Sequence, residues 1–332
     1  MSIDFNDLEL DELQYRLLNQ DSEVRRIAVL ELSDFADESH IPLLITLSHD
    51  NIPQVRAEAA RALEVFETEA SIARLIELLS DDDSQVIHAA AQSLQNLKLT
   101  RSGYLLLAKL DHHNPSVVAA LFSALRELRL PESFTPALTA LSHQNSNVRK
   151  EAIGVLGYLK NPDALPELIQ LVVTDPDTEV RRSAVGSLGF SDDAKIIPAL
   201  LQGLVDDSWL VREEAATTLG KLKLLPTLSA LVDAMYDDYW QVQIRAARAL
   251  GRLKQSAAIP VLLKALQHII SNVRKEAALA LGEIGDPMVL ADLEAASHDS
   301  DPDVRKSVRL AIAQINIHQV TIDRNSGINA ET

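Results

Sequence analysis

From residue 22 onward the chain repeats one arrangement of apolar and polar positions. A valine opens each of ten segments, among them DSEVRRIAVLEL, NSNVRKEAIGVL, SWLVREEAATTL and ISNVRKEAALAL, at positions 24, 55, 86, 117, 148, 180, 211, 242, 273 and 304. Every spacing is 31 residues except the 32 between Val148 and Val180. Within a segment the apolar positions follow the valine by four, five, eight and eleven residues, as in Val273, Ala277, Ala278, Leu281 and Ile284. That is one stripe of a 3.6-residue period, so each segment predicts a helix with one buried face. Ser, Thr or Pro stands two residues before most of the valines (Ser22, Pro53, Ser84 and so on), where a helix start wants a capping oxygen or a preset φ. A second apolar stretch precedes each valine, as in IPLLITLSHD and AIPVLLKALQ, and proline at its start predicts a first helix of about three turns.

Each unit is therefore helix, turn, helix and short loop. One pair cannot bury its stripe alone, so neighbours must stack, and the predicted fold is all-α, an α-solenoid of about ten 31-residue repeats. The array is expected over residues 11–315. The acidic segment 1–10 is expected to cap the first repeat, and 316–332, NIHQVTIDRNSGINAET, which lacks the period, to form a flexible tail.

The stretch from Val273-Arg274 to Gly285-Asp286-Pro287 resembles the HEAT-like repeats first described in cyanobacterial phycobilisome bilin lyases. The resemblance covers about residues 8 to 315. In five copies glycine stands nine residues after the valine (Gly157, Gly189, Gly220, Gly251, Gly282), but the first four carry Ser33, Glu64, Gln95 and Arg126, so the N-terminal half is the more diverged. The arginine after the valine (Arg25, Arg56, Arg149, Arg181, Arg212, Arg274, Arg305) is implied by the resemblance to form a ladder, bonding acidic or carbonyl groups of its own and the adjacent loop. Ile87, Val118 and Gln243 interrupt it.

Composition narrows the function classes. Aromatics are 4% of residues against 47% hydrophobic, a Leu, Ala, Val and Ile palette suited to helices. Basic residues number 31 and acidic ones 48, a net charge of −17 that repels a phosphate backbone, so nucleic acid and membrane insertion are not expected. No cysteine is present, which removes disulfides, thiolate metal sites and cysteine nucleophiles. The N-terminus has no apolar signal core, and a cytoplasmic location is expected. GxGxxG, GxxxxGK[ST] and GxSxG motifs are absent, and aspartate pairs such as Asp206-Asp207 read as turn residues rather than as acid–base machinery.

Both tryptophans, Trp209 and Trp240, occupy the position two before the valine and are 31 residues apart. Equivalent positions of stacked repeats lie about 10 Å apart, so the indoles are expected as neighbours on one edge, with Tyr236 and Tyr239 in the same loop. Either they form a binding patch or they fold over the loop and fill gaps. Arg245, Arg248 and Arg252 share a helix face and form either a positive site or pairs neutralised by Glu213, Glu214 and Glu276. Gly154 and Gly186, followed one turn later by Tyr158 and Phe190, form either a slot or ordinary packing. Five histidines (His49, His112, His143, His268, His298) stand at the end of the first helix, where positive charge suits the helix dipole, and no metal site is expected.

These observations point to a non-catalytic scaffold or assembly factor that binds a partner protein on the concave face and loop edge of repeats five to eight. The resemblance implies an alternative, a subunit that attaches or removes a bilin on a phycobiliprotein. An accessory role in iron–sulfur assembly is a third possibility. Otherwise no cofactor is expected.

Overall fold

The computed structural model describes residues 13, 15–34 and 36–328, with only the backbone of 318 and 320–328. The acidic segment 1–10 lies outside the described residues. Among the described residues every regular element is helical. The chain divides into two compact units, Met1–Asn161 and Pro162–Thr332, holding repeats one to five and six to ten.

In the first unit the second helices Ser22–Ser33, Pro53–Leu63, Ser84–Gln95, Pro115–Leu128 and Ser146–Leu159 pack one on the next in chain order. In the second unit Thr178–Leu188, Trp209–Leu222, Trp240–Leu253, Ser271–Ile284 and Pro302–Ile328 do the same. The apolar stripe explains this stacking. All the repeat valines from Val55 to Val304 are fully or almost fully buried, and in Ser271–Ile284 so are Ala277, Ala278 and Leu281. Val24, in the first repeat, is only partly covered.

Glycine sets how closely the second helices of the second unit approach. A Cβ on Gly220, Gly251 or Gly282 would lie 2.9, 2.8 or 2.7 Å from the Cα of Ala249, Ala280 or Ala311 of the following repeat. Backbone thus meets backbone where alanine faces glycine.

The first helices are shorter than their apolar stretches suggest. Ile41–Leu47, Ile197–Gly203 and Ile259–Ala265 each span 7 residues, and a 3₁₀ turn, Glu38–His40, Ala194–Ile196 or Ser256–Ala258, precedes each. In these repeats the proline is the second helical residue, so it cannot donate back into the preceding turn, and the α-helix starts late. Thr100–Leu107 follows Leu99, which offers no capping side chain. Glu67 of the preceding repeat supplies it instead, accepting from the N–H of Lys98 and Leu99 at 2.7 and 2.9 Å and from Ser102 Oγ at 2.6 Å.

At the C-terminus helix continues into the stretch 316–332 expected as a flexible tail, of which 329–332 lie outside the described residues. The last helix runs from Pro302 to Ile328, because nothing between Asp303 and Ser326 breaks it: the stretch has neither proline nor glycine.

Candidate partner-binding surface

The turns between first and second helices line one edge of each unit, and their chemistry repeats. Five residues before the valine, an aspartate accepts from the N–H two residues on: Asp50 from Ile52, Asp81 from Asp83, Asp206 from Ser208, Asp237 from Tyr239 and Asp299 from Asp301, at 2.8 to 2.9 Å. The arginine of the preceding repeat closes on that carboxylate with Nε and Nη2. The pairs are Arg25–Asp50, Arg56–Asp81, Arg181–Asp206, Arg212–Asp237 and Arg274–Asp299, with Nε–O distances of 2.6 to 2.8 Å. Nη1 donates to a carbonyl of the arginine's own turn, as from Arg212 to Asp206 O at 2.8 Å. Arg149 and Arg305 bond their own turns likewise, to His143 O and Asp299 O.

Where the arginine is missing, the aspartate is missing too. Ile87, Val118 and Gln243 are followed in the next turn by His112, His143 and His268. Each histidine accepts with Nδ1 from the N–H two residues on, Asn114, Asn145 or Ile270, at 3.0 to 3.1 Å. Imidazole therefore does the aspartate's turn-closing work without a carboxylate that would lack its guanidinium. The cationic role expected for these three histidines beside the helix dipole is corrected here, since a ring that accepts at Nδ1 is neutral. His112 also stacks on His113, with centroids 4.5 Å apart. Among the described residues no histidine, aspartate and glutamate side chains gather as a metal site would require.

Helix caps come one residue earlier than the Ser, Thr or Pro positions suggest. Asp21, Asp83, Asn114, Asn145 and Asp177 are the caps and accept from backbone N–H groups of the first turn. In repeats seven to nine the cap positions hold Ser208, Tyr239 and Ile270, none of which makes a side-chain cap bond, and Ile52 likewise makes none in repeat two. Trp209 and Trp240 are accordingly first helical residues, next to the caps and not at them.

The indoles do not form a ring pair with each other. Trp209 stacks on Tyr239, with centroids 5.5 Å apart and planes 10° from parallel. The Arg212 guanidinium lies 5.6 Å from the other ring of that pair, Tyr239, while it holds Asp237. Tyr239 is 44% exposed and Tyr236 58%, and the Lys264 ammonium sits 4.7 Å from the Tyr236 centroid. Both indoles are half-buried.

The arginine stripe is largely neutralised. Arg245 donates to Glu213 at 2.9 Å, and Arg248 closes on the buried Glu276 with two bonds of 2.7 and 2.8 Å. Glu214 lies 3.8 Å from Arg182 and also feels the charge of Arg245, but burial outweighs both and pushes its carboxyl above the usual range. Arg252 is exposed.

The glycine slot is filled by neighbouring side chains. A Cβ on Gly154 would meet Arg126 Cδ at 3.2 Å, and one on Gly186 would meet Glu214 Oε1 at 3.1 Å. Tyr158 lies under Arg126 and Arg129, 5.6 and 5.5 Å from its centroid, beside a cavity of 290 Å³ that Phe134 also lines. Phe190, half-buried, belongs to the other unit.

The repeat geometry has a counterpart in known families. The model for HEAT repeats matches residues 10–95, 104–188, 165–241 and 228–313. The chain is a HEAT-repeat protein. Among solved structures, yeast importin-β (Kap95p) is similar over 93% of this chain and 50% of its own length, with 15% identity and a TM-score of 0.63. YibA of E. coli is similar over 90% of this chain and 98% of its own, with 22% identity and a TM-score of 0.52. This chain thus spans half the length of importin-β. No curated protein sequence matches it. At these identities the likeness is one of HEAT fold alone. No helix among the described residues is long and apolar enough to cross a membrane.

Proposed function

We propose that this HEAT-repeat protein is a non-catalytic scaffold that binds a partner protein, and that the turn edge of repeats seven and eight meets the partner. The observation that carries this reading is the stack of Trp209 on Tyr239. Tyr239 occupies a cap position where five other repeats place a capping Asp or Asn, and it forgoes a bond whose loss costs about 1 kcal/mol. A residue set against local stability and left 44% exposed is suited to contact rather than to filling. The net charge of −17 favours a basic partner. In the Kap95–Nup1 complex a HEAT array is joined to another protein, which supports the same class of role.

The chromophore alternative needs guanidinium groups free to take two propionates. Arg245 and Arg248 are already closed on carboxylates, which supports the scaffold reading over it.

The test is a pair of baits, wild type and the Trp209→Ala, Tyr239→Ala double variant, in pull-downs from native lysate with mass spectrometry. The expected result is a partner recovered by wild type and lost with the variant, while thermal unfolding changes by only a few degrees. Equal recovery would remove this edge as the contact surface.

A further inference from the structure

Gln243 and His268 mark the ladder interruption in the second unit. Arg25, Arg56, Arg181, Arg212 and Arg274 bridge one turn to the next. Here Gln243 turns back, donating from Nε2 to Asp237 O at 2.7 Å, and His268 Nδ1 is used by the Ile270 N–H. The first of these bonds settles which end of the amide faces away, and Gln243 Oε1 is left buried without a partner. At the other two interruptions Ile87 and Val118 are apolar and bring no polar group to satisfy.

A cavity of 420 Å³ occupies the junction, lined in part by Tyr236, Gln243, Val261, Lys264, His268 and Ile269. That volume falls in the range of small-ligand sites, about 300 to 1,000 Å³. Ile269 is 91% exposed at its rim, at a turn position where eight of the other nine repeats put a polar residue. Lys264 has no carboxylate partner among the described residues, although the chain has an excess of acids. Because His268 accepts at Nδ1, its ring proton is on Nε2, a second donor.

We propose that this cavity holds the C-terminal residue of a partner chain with an apolar side chain. Such a residue carries on one Cα everything the cavity lacks: an apolar group for Val261 and Ile269, a carboxylate for Lys264 and His268, and an N–H for Gln243 Oε1. A basic side chain would meet Lys264 and be repelled. The proposal rests on the scaffold reading and extends its surface from repeat eight to repeat nine.

The probe is N-acetyl-L-leucine, titrated into the full chain with ¹³C-labelled Ile, Leu and Val methyl groups and followed by NMR. The expected result is saturable shifts at Ile269 and Val261 with a Kd in the millimolar range. N-acetyl-L-leucinamide, which lacks the charge, and 4-methylpentanoate, which lacks the N–H, should each bind several-fold more weakly. Lys264→Gln, at an exposed position, should abolish the preference for acid over amide. Absence of saturable shifts at those two methyls, or equal affinity for acid and amide, would overturn the proposal. The bait comparison at Trp209 and Tyr239 is read independently, so loss of that surface and loss of the cavity are told apart.

Discussion

Asp206 shows how much one turn residue does in this chain. Burial pushes its carboxyl up, but the Arg181 guanidinium and the Ser208 N–H outweigh burial and hold it below the usual aspartate range. Its ionised form therefore stabilises the fold above the ordinary value of about 3.9, and that contribution is lost as pH falls through the lowered folded value. Asp206→Asn keeps an acceptor for Ser208 and removes the charge facing Arg181. It is expected to lose about 2–3 kcal/mol in urea unfolding at neutral pH, with the two curves converging below about pH 4. A gap that stays constant to low pH would show that the charge is not its source. A second residue-scale effect is strain. Lys223 and Lys254 end their helices at φ 55° and 53°, in the left-handed region that Gly285 occupies at φ 77° in repeat nine. Lys223→Gly and Lys254→Gly should each raise stability by about 1 kcal/mol, read as a higher urea midpoint. An unchanged midpoint would mean that contacts of the lysine stem offset the strain.

At the scale of the helix, the second-helix glycines divide into two kinds. Gly251 faces the backbone of Ala280, which cannot move without moving its helix, whereas Gly186 faces the end of the flexible Glu214 side chain. Gly251→Val is expected to destabilise by about 2–3 kcal/mol in thermal unfolding, while Gly186→Ala should change stability by less than about 1 kcal/mol. Equal effects would contradict the packing. The second helices were legible in the sequence, because the valine stripe and a rigid 31-residue period leave one helical solution. The first helices were legible in place and not in length, since the apolar stretch runs through a 3₁₀ turn that the pattern alone does not separate. The last helix was legible as far as residue 315, but its continuation was not, because that depends on the absence of a breaker, which carries no period. The register of Trp209 was readable, but its stacking on Tyr239 follows from side-chain directions in two successive turns. The histidine role could have been found by aligning the ten turns, where His stands five residues before the valine only after a repeat that lacks arginine.

Across the molecule, each described arginine–aspartate pair is a link whose two halves belong to different repeats, and the apolar or amide residue with histidine is a second kind of link. Neither half is useful without its match: an aspartate facing Gln243 would be a carboxylate with no guanidinium, and an arginine facing His268 would lack its anion. Neighbours must therefore agree at their junction, as well as in their buried stripe. This agreement limits how such a chain can grow or shrink in descent. Excising repeat seven would bring Arg181 to the turn of Asp237, like meeting like, and the shortened array would close without mismatch. Excising repeat nine would set Gln243 against Asp299. A single copy can therefore be shed or duplicated only where both ends carry the same link, whereas the glutamine–histidine junction leaves without mismatch only if repeats eight and nine go together, which would set Arg212 against Asp299.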